Sequence, residues 1–150
     1  MDEVKTLMGP LRENISLAHV IRGSEEDFEN LLGTRDHEEA FRWIREQGCN
    51  YLVITSSAGA YLLSDKTRLF SESKNIEVVS TIGAGDSFNA GIIHGLLQAD
   101  LNGRGLDSLS ETAWVKVMQS GLDFAADCCR SMDNYVSREF GNRACNFSAG

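Results

Sequence analysis

The stretch from Ile76 to Gly91 constrains this chain more than any other. A β-branched run, Ile76-Glu77-Val78-Val79, leads into Ser80-Thr81-Ile82-Gly83-Ala84-Gly85-Asp86 and then into an apolar segment with helical spacing. A strand, a glycine turn and a helix in that order leave free amides at the helix start, where the helix dipole favours an anion. Gly83 and Gly85 let that anion approach the main chain. On the helix, Phe88, Gly91, Ile92, Gly95 and Leu96 share one face. The two glycines in that face predict close packing of the helix on a sheet.

Asp86 gives the turn a second meaning. A carboxylate beside an anion nest repels a bound phosphate, so a pure binding site should avoid it. A phosphoryl-transfer site has a use for it. The carboxylate accepts a proton from an attacking hydroxyl while the amides stabilise charge on the transferring group. The residues alone leave other readings open. Asp86 can simply cap the helix, with Gly83 and Gly85 as turn residues. Gly83-x-Gly85-x-x-Phe88 can also be read as the fingerprint of a Rossmann-type dinucleotide-binding domain. That reading lacks the third small residue and sets Asp86 against the pyrophosphate.

The remaining segments alternate between helical and strand patterns. Pro10 predicts a short or broken opening helix, followed by a short strand at 18–22. Ser24 caps a helix whose apolar side is Phe28, Leu31 and Leu32 and whose stop is Gly33. A second helix begins at Asp36 with Glu39 completing a capping box, buries Ala40, Phe41 and Ile44, and ends at Gly48. Tyr51-Leu52-Val53-Ile54 is a continuous apolar run, as in a strand covered on both faces. Residues 60–63 and 67–70 flank Ser64-Asp65-Lys66 as a hairpin, and 76–79 forms a further strand. A long helix from Ser108 to Met132 is capped by Ser108 with Glu111 and lined by Val115, Met118, Leu122 and Ala125. This order predicts an α/β layered fold with a mainly parallel sheet, a single domain over residues 1–150 and a frayed tail from Arg143.

Composition narrows the function. The 150 residues carry 14 Lys and Arg against 22 Asp and Glu, a net charge of -8. That balance argues against a nucleic-acid module and against docking on an anionic membrane. No apolar run approaches the roughly 20 residues that span a bilayer, and the N-terminus has no signal-peptide pattern. The expected compartment is cytoplasmic. Cys49, Cys128, Cys129 and Cys145 form no CxxC pair and are expected to stay reduced, with Cys128 and Cys129 as core residues. His94, Trp43 and Trp114 fit packing roles better than catalytic ones.

The segment Ser80 to Gly91 closely resembles the second signature of the ribokinase-like (PfkB) carbohydrate kinases, D-T-x-G-A-G-D-x-F-x-A-G. Ser24 to Gly33 occupies the place of that family's N-x-x-E segment and its helix. Val53 to Ala60 resembles its V-T-L-G-x-x-G-A nucleotide strand and turn. The resemblance covers residues 18–130. It implies a three-layer αβα fold and phosphoryl transfer from ATP, with Mg²⁺, to a sugar or sugar derivative. Asp86 would be the base, and the amides of Gly83, Ala84, Gly85 and Asp86 the anion hole. Thr55, Ser57, Gly59 and Thr81 would lie near the nucleotide. Asp27 would stand where the family's Glu holds Mg²⁺ through water, with Ser24 at its Asn.

Several positions depart from the family pattern. Ser80 replaces the Asp that opens the signature, which argues against a monovalent cation such as potassium. The turn after Thr55 is one residue short, and Ser57 stands where a glycine is expected. Ala126 stands where the family often has an Asn or His next to the nucleotide and offers no such side chain, so the resemblance assigns no adenine contact. Nothing resembles the family's N-terminal half, with its sugar-binding residues and β lid. The resemblance therefore implies a C-terminal, nucleotide-binding half whose incomplete sheet leaves an open edge. Such an edge favours self-association as a homodimer, or a non-catalytic remnant that acts by association.

Overall fold

Strand β2 (Tyr51–Thr55) is buried along Tyr51, Leu52, Val53 and Ile54, on both of its faces. The continuous apolar run requires this burial, because a strand with one wet face would alternate. The computed structural model describes residues 2–99, 101 and 103–146. The chain folds as two compact units, Met1–Phe70 and Ser71–Gly150.

The first unit begins with α1 (Asp2–Leu17), β1 (Ile21–Ser24), α2 (Glu25–Leu32) and α3 (His37–Glu46). β2, β3 (Gly59–Ser64) and β4 (Arg68–Glu72) follow, the last crossing the boundary between the units. The sheet order is β1-β2-β3-β4, with β1 parallel to β2 and β3 antiparallel to it. The sheet is thus mixed: the expected parallel arrangement is confined to β1 and β2, and the expected hairpin is β3–β4. Leu52, Ile54 and Leu63 pack with Ile15, Phe28, Ala40, Phe41 and Ile44 into one apolar cluster. Arg68 binds this layer from outside, its guanidinium 4.8 Å from the Phe41 ring centre while it pairs with Glu38.

Three expectations for this unit need correction. The opening helix is continuous through Pro10. Proline withholds one N–H from the helix, but the residue before it is Gly9, which has no Cβ to clash with the ring. The first strand lies at 21–24 rather than 18–22. The cap of α3 is Asp36, whose carboxylate accepts from the amides of Glu38 and Glu39. The Asp36 N–H donates to Thr34 Oγ1, a role the capping box would give to Glu39.

The second unit contains α4 (Ala84–Gln98), a 3₁₀ turn (Leu106–Ser108), α5 (Glu111–Cys129) and α6 (Arg138–Asn146). The α4 glycines meet a helix where a sheet was expected. A Cβ on Gly91 would lie 2.5 Å from the Ser120 carbonyl oxygen, and one on Gly95 would lie 2.8 Å from Val117 Cα. From the other side, a Cβ on Gly121 would stand 2.8 Å from the Phe88 ring. Trp114, Val117, Met118 and Leu122 form the buried side of α5, where Val115 and Ala125 are only partly buried.

Residues 76–79 form no strand, and Val78 and Val79 are half exposed. β-branched residues make a strand only beside a partner. Here the amides of Val79 and Ser80 instead donate to the Cys129 carbonyl. The cap of α5 is Ser110, which accepts from the Ala113 amide; Ser108 closes the 3₁₀ turn by donating to the Gly105 carbonyl. Residues 143–146 are helical, and the rest of the expected frayed tail lies outside the described residues.

Gly91→Ala tests the helix contact. The helix gains about 1 kcal/mol of propensity, but overpacking against unyielding backbone costs about 1–3 kcal/mol. A net loss of stability is expected in urea unfolding. Gly141→Ala, on α6 with open space around the site, should lose nothing.

Candidate active site

The turn before α4 is built by backbone contacts within the second unit. Ser80 Oγ accepts the Ile82 amide at 3.2 Å, so the serine makes the local turn bond that an aspartate would also make here. Gly83 is the N-cap, at φ +81, where a side chain is strained. A Cβ there would also meet the Asn134 carbonyl oxygen at 2.4 Å. Glycine at 83 is therefore demanded twice, by conformation and by space.

The first amides of α4 divide into two groups. The Ala84 N–H donates to the Thr81 carbonyl at 3.2 Å, and the Ser87 N–H donates to that of Gly83 at 2.9 Å. Among the described residues the amides of Gly83, Gly85 and Asp86 have no acceptor. Of the expected anion hole, Gly83 and Gly85 therefore offer open amides with Asp86, while the Ala84 amide is engaged. The side chain of Asp86 is exposed and makes no cap bond; the cap position belongs to Gly83. This disposes of the reading in which Asp86 caps the helix.

The residues that hold this turn left little trace in the sequence. Cys128 Sγ lies 3.6 Å from the Ile82 carbonyl, and the Cys129 carbonyl takes the amides of Val79 and Ser80. Asn134 sits at φ 60, and its loop is closed by Ser137, whose N–H and hydroxyl both donate to Asp127. The one legible signal was Asp133-Asn134, a pair suited to left-handed turn geometry.

In the first unit, Thr55 ends β2 with its hydroxyl turned along the sheet. It accepts from Arg22 at 2.8 Å and lies 3.5 Å from the Gly23 carbonyl. Ser57 is exposed in the tight turn that follows, where the Ser56 amide donates to the Gly59 carbonyl and Gly59 is buried. Thr81 is exposed in the second unit. Ser24 and Asp27 form a capping box on α2. Ser24 Oγ accepts the Asp27 amide, and Asp27 Oδ2 accepts the Ser24 N–H at 2.7 Å. That backbone N–H holds the Asp27 carboxyl below its ordinary value of 3.8. Arg22, not singled out by the sequence, lies on β1 and adds a smaller electrostatic pull in the same direction.

Residues 3–123 match the pfkB family carbohydrate kinases. The chain belongs to this family. It is 35% identical over 89 residues to the 1-phosphofructokinase of Escherichia coli K12, a stretch that covers 59% of this chain and 28% of that enzyme. The aminoimidazole riboside kinase of Salmonella enterica, solved with aminoimidazole riboside and an ATP analog, superposes with a TM-score of 0.76 at 20% identity. That superposition covers 97% of this chain and 46% of the kinase. The fructokinase of Vibrio cholerae, solved with fructose, ADP and calcium, gives 0.70 at 22% identity over 85% of this chain and 40% of that one. The chain thus spans less than half the length of each of these relatives. The pfkB fold excludes the Rossmann-type reading, and after α4 the next described elements are the 3₁₀ turn and α5, not the strand of a βαβ unit.

The capping box makes a pH-dependent contribution with a definite sign. The folded pKa of Asp27 is depressed, so its stabilisation is present above 3.8 and is lost as pH falls through the folded value. Urea midpoints at neutral pH and near pH ~3 should fall further for the unaltered chain than for Asp27→Asn, which cannot titrate.

Proposed function

We propose that this chain is the C-terminal, nucleotide-binding half of an ATP-dependent carbohydrate kinase, with Asp86 as the general base. The observation that carries this reading is the start of α4. Three amides without acceptors open beside a carboxylate that caps nothing. That pairing has little use in a binding site and a direct use in phosphoryl transfer.

The chemistry follows from those groups. The sugar hydroxyl oxygen attacks the γ-phosphorus of ATP, and its proton passes to the Asp86 carboxylate. The bond between the γ-phosphorus and the bridging oxygen breaks, releasing ADP. The amides of Gly83, Gly85 and Asp86 stabilise negative charge on the transferring group, and the positive end of α4 reinforces them. Gly83 allows the left-handed turn that ends in these amides. Thr55, Ser57, Gly59 and Thr81 line the nucleotide's phosphate path on this reading.

Asp27 fits a magnesium role only in an outer position. One of its oxygens is committed to the Ser24 amide. Among the described residues no three His, Cys, Asp or Glu side chains gather as a metal cage. Mg²⁺ is commonly held by one or two carboxylates together with substrate phosphates. Asp27 would therefore hold it through water, and the ion would supply charge neutralisation on the phosphates. No helix among the described residues is long and apolar enough to cross a membrane. A sugar or sugar derivative is the expected partner, in the cytoplasm.

Two measurements test the reading. Mg-ATP at 100 times its dissociation constant should stabilise a competent site by about 2.7 kcal/mol, visible as a raised melting temperature, whereas NAD should give no shift. In a kinase completed with a family N-terminal half, Asp86→Asn should cut sugar phosphorylation by about 10²–10⁴-fold and spare nucleotide binding. Undiminished turnover in that variant would overturn the assignment of Asp86.

A further inference from the structure

The second unit holds a cleft of about 900 Å³ between the C-terminal half of α4, the outer side of α5 and α6. That volume lies within the range of small-molecule sites. His94, the first cleft residue on α4, stands eleven positions after Gly83, about 16 Å along the helix. None of the cleft's lining residues belongs to the turn at Gly83, and its assignment does not rest on the kinase reading.

Aromatic rings form part of its wall. The His94 ring lies 5.4 Å from that of Phe124, and Phe124 meets Phe140 edge-on at 5.0 Å. Rings stacked or edge-on at this spacing accept a further planar group in the same manner. Two of the charged side chains that line the cleft are paired. Asp123 is paired with Lys74 at 2.8 Å, and Arg143 with Glu139 at 2.7 Å. Lys116 lines the same cleft, is exposed, and has no ion-pair partner among the described residues. Among the lining residues one positive charge is therefore uncompensated, eight residues before Phe124 on α5, in a chain whose net charge is -8.

We propose that this cleft binds a planar aromatic monoanion, such as an aryl carboxylate or sulfonate. The ring of the ligand packs against Phe124, Phe140 and His94, and its acid group pairs with Lys116. The residues that would do this come from three helices of one unit, so the site needs no second chain.

Anilinonaphthalene sulfonate, a fluorescent aromatic monoanion, is the probe. It should bind the folded 150-residue chain at one site, raise its melting temperature and bind more weakly as salt screens the charge. Lys116→Glu should weaken binding by about tenfold, whereas Lys66→Glu, the same charge change in the first unit, should alter it by less than about twofold. Phe140→Ala should also weaken it, and saturating Mg-ATP should not displace the probe. Equal effects of the two lysine reversals would overturn the proposal, since net charge alone would explain them. Displacement by Mg-ATP would place the probe in the nucleotide site, and a lowered melting temperature would place it on the unfolded chain; either result sinks the cleft as a site.

Discussion

Helices α4 and α5 approach to main-chain contact at Gly91 and Gly95, and the second unit depends on that approach. Gly91 and Gly95 lie against the α5 backbone at Val117, Ser120 and Gly121, and Gly121 in turn leaves room for the Phe88 ring. Close approach multiplies weak dispersion contacts that longer side chains would hold apart. Trp114, Val117 and Met118 seal the buried side of α5. The axis of α4 is thereby fixed, and so is the direction in which its first amides point. The C-terminal end of α5 then returns to the same turn through the Cys129 carbonyl and the Cys128 thiol. One helix pair thus sets both the aim of the proposed anion hole and the path of the chain that enters it.

The first unit reaches its order by a different route. Its sheet is flanked by helices whose ends are capped locally, by Ser24 with Asp27 and by Asp36. The carboxylate that caps α2 is also the one a magnesium-bound nucleotide would meet on the proposed reading. Fold and function therefore make claims on the same side chain, and the pH response of α2 reports the first of them.

Much of the architecture was legible because it rests on local chemistry. Ser24, Gly33, Asp36 and the apolar run at 51–54 each carry their own signal, and each stands where that signal put it. The misreadings share one cause: a local pattern does not name its partner. Val78 and Val79 have strand character, but their neighbour is a helix end rather than a strand. The glycines of α4 announced a close approach without saying to what. Ser108 and Ser110 both suit a cap, and the 3₁₀ turn at 106–108 decides between them. At the candidate site, the motif marked Gly83 to Asp86 clearly. It could not distinguish the engaged amide of Ala84 from the open ones, because that depends on how tightly the turn closes on Thr81.

The bonds from Val79 and Ser80 to Cys129 carry one more consequence. A stretch outside any sheet or helix ordinarily opens on its own, at little cost in free energy. Here its amides end on the last turn of a 19-residue helix. The entry to the glycine turn and the end of α5 therefore belong to one cooperative unit. Fraying at the tail of that helix would loosen the open amides at the start of α4, far from it in sequence, and firmness gained there would pass to the turn without any change in the turn itself.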